Sequence, residues 1–430
     1  MMDEIALHDH HSGQGRRSAK SYRLTTLSCF AGIFVQAICA NLTPILFIPL
    51  MTLYGLSYYH LGLLAAINFT TQVAVDIIAS RLIDRIGFRR LVLPADLMAL
   101  AGLILFALSP VLSATPLAGL ILSTVIFSAA SGLLEVLLSP IVNAIPHDEK
   151  GPAMALMHSF YAWGQAATVA VTTFFLFAFG IRGWQIIVML WAIVPLANFF
   201  MFFAAPFPGT VPEEHRQRMR DLLFRPYCLL AMLAIFAGGA TEVVMNQWAS
   251  TFTEKVLELP KVAGDLLGMC GFAVMLGLGR LFYGRYGGGL NMNSVLVAGA
   301  AAAFVCYVAV AASPAPGVSI AMCALCGLAS SLLWPGTLVI AAEKYPLAGA
   351  WMFAILAAAG DIGAAAGPFA AGIITDFTRS LPGAAGWAAA AGMSPDQFAI
   401  RTAILMAAVF PALTLICHLA LRRRQKDQGR

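Results

Sequence analysis

Four carboxylates in this chain stand where a carboxylate is costly. Asp76, Glu135, Glu242 and Asp361 each lie deep inside a long apolar stretch, and in 117–142 Glu135 is the only charged residue. An ionised carboxylate in hydrocarbon costs at least ~2.5–3.5 kcal/mol, so such residues are kept mainly where they face a bundle interior or a wet cavity. Four of them point to a polar pathway through a membrane, and make all four candidates for proton coupling. His158 joins the set. Glu135 falls about five residues past the centre of its stretch and His158 about seven before the centre of the next. At 1.5 Å per residue both sit ~8–10 Å toward the same membrane face, in reach of one another. A histidine beside a carboxylate relays protons near neutral pH; equally, the two form a satisfied structural pair.

The uncharged polar residues also follow helical spacing. Asn68, Gln72 and Asp76 are four apart, which sets them on one helix face, and Ser80 extends the stripe. A polar stripe on a membrane helix faces water or protein, so it binds substrate or serves as glue between helices. Glu242 and Asn246 repeat the four-residue step, followed by Gln247 and Trp248. Asn41 adds a further amide. Tyr161, Trp163, Trp248 and Trp334 offer ring faces on which the apolar side of a sugar stacks or a cation binds; packing and interface anchoring are the alternative. Asp361 sits within Gly360-Asp361-Ile362-Gly363, where small residues allow close helix approach or local unwinding.

The elements that carry these residues are transmembrane helices. Of the 430 residues 60% are hydrophobic and 11% charged, with a mean hydropathy of +0.82; a soluble domain carries roughly 25% charged residues. A spanning helix needs about 20 apolar residues. Twelve such stretches occur, at 25–53, 60–84, 89–109, 117–143, 152–178, 184–206, 228–253, 263–284, 291–312, 317–342, 347–376 and 399–420. Their long unbroken runs exclude an outer-membrane barrel, whose short segments alternate. The chain therefore divides into a tail (1–24), a six-helix bundle (25–206), a linker (207–227), a second six-helix bundle (228–420) and a closing tail (421–430).

With loops alternating in sidedness, 21 of the 26 Lys and Arg fall on the side shared by both termini. By the positive-inside rule that side is cytoplasmic, and the protein is a multi-pass component of the inner (plasma) membrane. The net charge of +5 tracks the loops in this way, which argues against nucleic-acid binding. The eight cysteines lie in or at the edges of apolar helices and suggest no disulfide framework. The first ~24 residues are polar and basic, unlike a cleavable signal peptide.

The two halves repeat. Gly132-Leu133 runs to Pro140, and Gly327-Leu328 runs to Pro335, at an offset of 195. Asp84-Arg85-Ile86-Gly87 is echoed by Gly284-Arg285-Tyr286-Gly287, and Pro195 by Pro411. In order, within a six-plus-six plan, these matches indicate duplication.

The segment 80–90, Ser80-Arg81-Leu82-Ile83-Asp84-Arg85-Ile86-Gly87-Phe88-Arg89-Arg90, resembles the G-x-x-x-D-R-x-G-R-R signature of the major facilitator superfamily, with Ser80 and Phe88 as departures. The resemblance implies a fold in which helices 1, 2, 4, 5, 7, 8, 10 and 11 line a central cavity. It also implies that Asp84, Arg85, Gly87 and Arg89 gate the cytoplasmic side. Arg285, in the matching loop, and Arg280, near the end of helix 8, are assigned to the same gate, with Arg280 pairing a carboxylate or snorkelling. A narrower resemblance is to the fucose–proton symporter branch, whose helix 4 pattern G-x-x-E-x-x-x-x-P is matched by Gly132, Glu135 and Pro140. That branch has N-L-N-D in helix 1 and S-F-N-G-x-G in helix 5. Here Pro44 stands for the helix 1 carboxylate and Tyr161 for the helix 5 Asn.

With no Lys or Arg expected at mid-depth, the cavity reads as acidic, which disfavours anionic substrates. The expectation is a secondary active transporter working by alternating access: proton-coupled symport of a neutral polar, sugar-like molecule, with Glu135 or Asp361 as the protonation site. Proton-coupled export of cationic, drug-like compounds is the alternative, although Gly164-Gln165-Ala166-Ala167-Thr168-Val169-Ala170 lacks the Gly-rich helix 5 pattern of that branch. A non-transporting receptor is the alternative of another class. No enzyme constellation, metal or cofactor is expected. The expected partners are a small-molecule substrate, H⁺ as coupling ion and the lipid bilayer, with the protein a monomer.

Overall fold

The computed structural model describes residues 22–56, 58–112, 115–146, 150–209, 222–348 and 350–428. Among these there is no strand. The spans are α1 (Arg23–Ile45, carried on by Phe47–Tyr54), α2 (Tyr58–Ile86), α3 (Phe88–Leu112), α4 (Pro116–Ala144), α5 (Lys150–Phe179) and α6 (Trp184–Trp191 and Ile193–Ala204). The second set is α7 (Pro226–Lys255), α8 (Lys261–Ala263, a π turn Gly264–Cys270, then Gly271–Tyr286), α9 (Met292–Ala312), α10 (Pro316–Ser330 and Leu333–Lys344), α11 (Ala350–Ser380) and α12 (Pro395–Ala407 and Val409–Gln428). Eleven helices among the described residues are long and apolar enough to cross a membrane. The twelfth span, α2, has 29 residues and carries the polar stripe. Large apolar side chains such as Phe174, Phe177 and Phe200 face outward, as lipid rather than water permits.

Prolines set the breaks. A proline lacks the N–H that would pair with the carbonyl four residues earlier, and its ring clashes with that turn. The interruption of α6 at Ala192 comes three residues before Pro195, and that of α12 at Ala408 three before Pro411. The break between the two parts of α10 likewise ends three residues before Pro335. The expected twelfth stretch began at 399; α12 starts earlier, at Pro395, because Ser394 and Gln397 form a reciprocal capping box. The region 377–398, expected as loop, holds the end of α11 and a short helix, Ala384–Ala390.

The halves repeat in packing as well as in sequence. In the first, α1 packs on α4, α5 and α6, α4 on α2 and α3, and α3 on α6. Adding six to each number gives the pairs of the second half. The repeated glycines serve one purpose. A Cβ on Gly132 would come within 3.2 Å of the α2 backbone at Gln72, and one on Gly327 would strike the α8 carbonyl of Phe272. Each glycine lets its helix approach a neighbour closely: at Gly132 a side chain would be tight, and at Gly327 there is no room for one. Between the halves, α5 packs on α8 and α2 on α11. Gly277 of α8 faces the Trp163 ring (3.0 Å from an ideal Cβ), and Gly284 faces Leu156 (2.9 Å).

The supporting helices fill their contacts with rings. Phe106 of α3 meets Phe127 of α4 and Trp184 of α6 edge-on, at 5.6 and 5.9 Å between centroids. Asp96 of α3, fully buried, accepts from Asn198 of α6 through both carboxylate oxygens at 3.1 Å. That carboxylate belongs to the scaffold, away from the central cavity.

Candidate functional site

A cavity lies between the two halves, bordered by residues of α1, α2, α4, α5, α7, α8, α10 and α11. Its wall carries Gln36, Gln72, Glu135, His158, Tyr161, Glu242, Arg280 and Asp361, with Phe69 and Trp334 as ring faces.

Glu135 is buried on α4, and its Oε2 accepts from Gln36 Nε2 of α1 at 2.7 Å. No cation neutralises it among the described salt bridges. His158 is close in depth, but its Nε2 pairs with Ser139 Oγ at 3.1 Å, one turn beyond Glu135. The expected Glu135–His158 contact is thus replaced by a hydroxyl partner.

Arg280 departs most from expectation. Rather than reaching out of α8, it is buried (2% exposed) and borders the cavity. One terminal nitrogen donates to both oxygens of Glu242, at 2.9 and 3.1 Å. Its Nε donates to the Ser331 carbonyl at 2.8 Å, and its other terminal nitrogen to the His158 carbonyl at 3.0 Å. The Ser331 carbonyl is available for a reason visible in the chain: its helical partner would be the N–H of residue 335, and residue 335 is proline. Burial follows from this surplus of acceptors, since a buried charge must be paired and hydrogen-bonded. Among the described residues the cavity therefore contains one cation, Arg280, already matched, and the remaining carboxyl groups, Glu135 and Asp361, exceed it.

The same proline chemistry recurs twice at the cavity wall. Pro44 relieves the Ala40 carbonyl of its helical donor and Pro368 relieves that of Ala364, and both alanines border the cavity. Each is a backbone acceptor not committed to its own helix.

The α2 stripe is divided in its use. Asn68 donates to the Cys39 carbonyl of α1 (3.1 Å), Gln72 donates to Asn68 Oδ1 (2.5 Å), and Ser131 of α4 donates to Gln72 Oε1 (3.1 Å). Asn68 acts as glue, while Gln72 also borders the cavity. Asp76 is fully buried, with neither carboxyl oxygen given a donor. It faces Asp361 across the α2–α11 contact. Asn41 donates to the Ala37 carbonyl and, at 3.5 Å, approaches Tyr161. Asn246 accepts from Gln165 of α5 at 2.9 Å, a bond between the halves.

The expected aromatic residues separate. Tyr161 and Trp334 border the cavity. The Trp334 ring occupies the space that Cβ atoms on Gly239 and Gly360 would need, so it is wedged between α7 and α11. The Gly360–Gly363 segment stays helical, and its glycines admit close approach rather than unwinding. Trp163 fills the α5–α8 seam. Trp248 is partly buried beside Gly372, and Gln247 is exposed; neither borders the cavity.

At the expected gate, Gly87 adopts φ +87°, a left-handed turn that joins α2 to α3. Arg89 donates to the Phe203 carbonyl at 2.6 Å and lies over the Phe203 ring, tying α3 to the end of α6. Arg85 and Arg285 are exposed, and the side chain of Asp84 lies outside the described residues. Gln36 and Gln165 are site residues that the sequence reading passed over. The signal was present: each is an amide near the middle of a membrane span.

Two six-helix halves joined around a buried polar cavity define a multi-pass membrane transporter. The chain belongs to the Major Facilitator Superfamily, whose sequence profile matches residues 28–368. No curated protein sequence matches it. Among solved structures it resembles a variant of the Escherichia coli fucose–proton symporter at 15% identity and a TM-score of 0.74, over 93% of this chain and 99% of the other. A structure of the fucose symporter in the outward conformation gives 16% and 0.75, with coverage of 93% and 99%. The proton–xylose symporter bound to 6-bromo-6-deoxy-D-glucose gives 14% and 0.74, with coverage of 91% and 95%. At these identities the likeness is one of fold.

Proposed function

We propose that this protein is a proton-coupled symporter for a neutral, polar, sugar-like molecule, working by alternating access as a monomer in the inner (plasma) membrane. The observation that carries the reading is Glu135: a buried carboxyl group on the cavity wall, held by the Gln36 amide and matched by no cation among the described residues. A carboxylate in such a place is stabilised when it takes up a proton, so substrate binding and proton binding can depend on one another. Asp361 is the second carboxyl group offered to the cavity. Hydroxyl-bearing substrates suit the rest of the wall: Gln72 and Tyr161, the freed Ala40 and Ala364 carbonyls, and the Trp334 ring for an apolar sugar face. Proton-linked sugar transport by the two symporters of like fold agrees with this reading.

Loading would occur at the shared cavity, with the halves rocking across the α5–α8 and α2–α11 seams. The termini and the 207–227 linker would be cytoplasmic, following the Lys and Arg bias of the loops. The excess of carboxyl groups over Arg280 favours a second reading, exchange of a cationic compound for protons.

One experiment separates them. The protein is reconstituted in liposomes with an internal pH dye and challenged with a panel of sugars and cationic dyes. Acidification with a neutral solute, abolished in Glu135→Gln, supports symport. Alkalinisation with a cation supports exchange, and silence across the panel from folded protein refutes both.

A further inference from the structure

Asp76 and Asp361 are left over when the cavity chemistry has been assigned. Asp76 is fully buried, both of its oxygens are without a donor, and Asp361 Oδ2 is without one too. The two carboxyl groups come from different halves and meet where α2 packs on α11. Asp76 lies four residues past the midpoint of Tyr58–Ile86, and Asp361 four before the midpoint of Ala350–Ser380. The helices run in opposite directions, so both groups sit ~6 Å from the middle, toward the face that carries the chain termini. Asp361 borders the cavity at this depth, and Asp76 lies behind it in the α2–α11 seam.

Ionised carboxyl groups only accept hydrogen bonds; a protonated one also donates. Two facing carboxylates repel, and here three of their four oxygens have no donor. One proton repairs both faults, since the carboxylic acid of one donates to the carboxylate of the other. Asp361 borders the cavity while Asp76 does not, so the proton arrives and leaves through Asp361. The other charges facing the pair have partners. Glu135 of α4 is bonded to Gln36, and Glu242 of α7 is bonded to Arg280 of α8. Asp96 of α3 is held by Asn198, and Asp396 of α12 by Arg379 at the far membrane end.

We propose that Asp76 and Asp361 hold one proton between them and so latch α2 to α11, forming a second proton site, separate from Glu135, whose discharge opens this side of the molecule. This deepens the symport reading and rests on it for its purpose, but it is tested without substrate. On release the O–H bond breaks, the proton passes to cavity water, and two carboxylates remain face to face.

The test uses full-length protein in lipid nanodiscs and two readouts across a pH series. Infrared difference spectra report the carbonyl stretch of a protonated carboxyl group. Spin labels on Leu82→Cys and Leu347→Cys, both exposed near the terminal face, report the distance across the seam. Cys270, the one cysteine that is not buried, is replaced by Ala. In the otherwise native protein the carboxylic band disappears and the distance lengthens over the same pH range. In Asp76→Asn, whose amide donates permanently, the band is lost and the distance stays short at every pH; Asp361→Asn behaves alike and guards against a folding defect in either variant. The proposal is overturned if Asp76→Asn keeps the native distance–pH curve, or if the only band belongs to Glu135 and vanishes in Glu135→Gln. Closure on adding Na⁺ at fixed pH also overturns it, in favour of a metal-cation site. Sugar transport with a pH-insensitive seam would sink the latch and spare the symporter; a pH-driven seam without transport would do the reverse.

Discussion

Removing Glu242 while keeping Arg280 is the most demanding test of the site as described. The Arg280–Glu242 pair is close, with nitrogen–oxygen distances of 2.9 and 3.1 Å, and side-chain exposures of 3% and 13%. Taking one partner from a buried pair costs about 3–5 kcal/mol, because the other charge stays behind uncompensated. Here Arg280 would retain its bonds to the Ser331 and His158 carbonyls. The lower end of the range therefore applies to Glu242→Met: about 3 kcal/mol, or a little over a hundredfold in the folded-to-unfolded ratio. The converse change should cost less. A guanidinium cannot shed its proton, but a lone glutamate can take one up and become neutral. Replacing both residues by Met removes the charge problem altogether and should recover most of the loss, as for other buried pairs exchanged for apolar residues. Reversible unfolding in mixed detergent micelles, followed by tryptophan fluorescence, measures all four proteins. Equal losses for the two single variants, or a double variant worse than Glu242→Met, would refute the assignment of a desolvated, mutually satisfied pair.

Three further outcomes follow from named contacts. Gly360→Ala puts a methyl group into the Trp334 ring; it should lower stability by about 1–3 kcal/mol in the same unfolding assay, and Trp334→Leu in the same chain should restore part of the loss. Pro335→Ala returns an N–H that competes with Arg280 for the Ser331 carbonyl; infrared hydrogen–deuterium exchange should show α10 more protected, with transport slowed. Arg89→Ala, at an exposed contact with the Phe203 carbonyl and ring, should cost no more than about 1–2 kcal/mol; a larger loss would mean that this loop carries more of the fold than its contacts account for.

The sequence was most informative where composition and spacing act along a single helix. Twelve apolar runs and the Gly132/Gly327 and Pro195/Pro411 repeats foretold two halves of like packing, because each signal is local to one span. The residues that line the cavity were legible in type but not in pairing. Glu135 was found because a lone acid in an apolar run is conspicuous, whereas its partner Gln36 lies 99 positions away. Arg280 was misplaced because its depth was judged from α8 alone, and its three sets of acceptors come from α5, α7 and α10. Trp163 and Trp248 were grouped with Tyr161 and Trp334 for the same reason: an aromatic side chain does not state which neighbour it will meet.

The arrangement around Arg280 also bears on how readily the molecule changes shape. Of its partners, Glu242 and Ser331 belong to the same half as Arg280 itself, and only the His158 carbonyl belongs to the other. Rocking the halves apart therefore leaves the charge solvated by its own side and asks one Arg280 N–H to exchange its protein acceptor for water. Such an exchange costs on the order of 1 kcal/mol, far below the penalty of stranding a buried ion. A fixed cation of this kind moves with one half as a rigid part, so the chain keeps a charge at its centre without having to desolvate it afresh in every cycle.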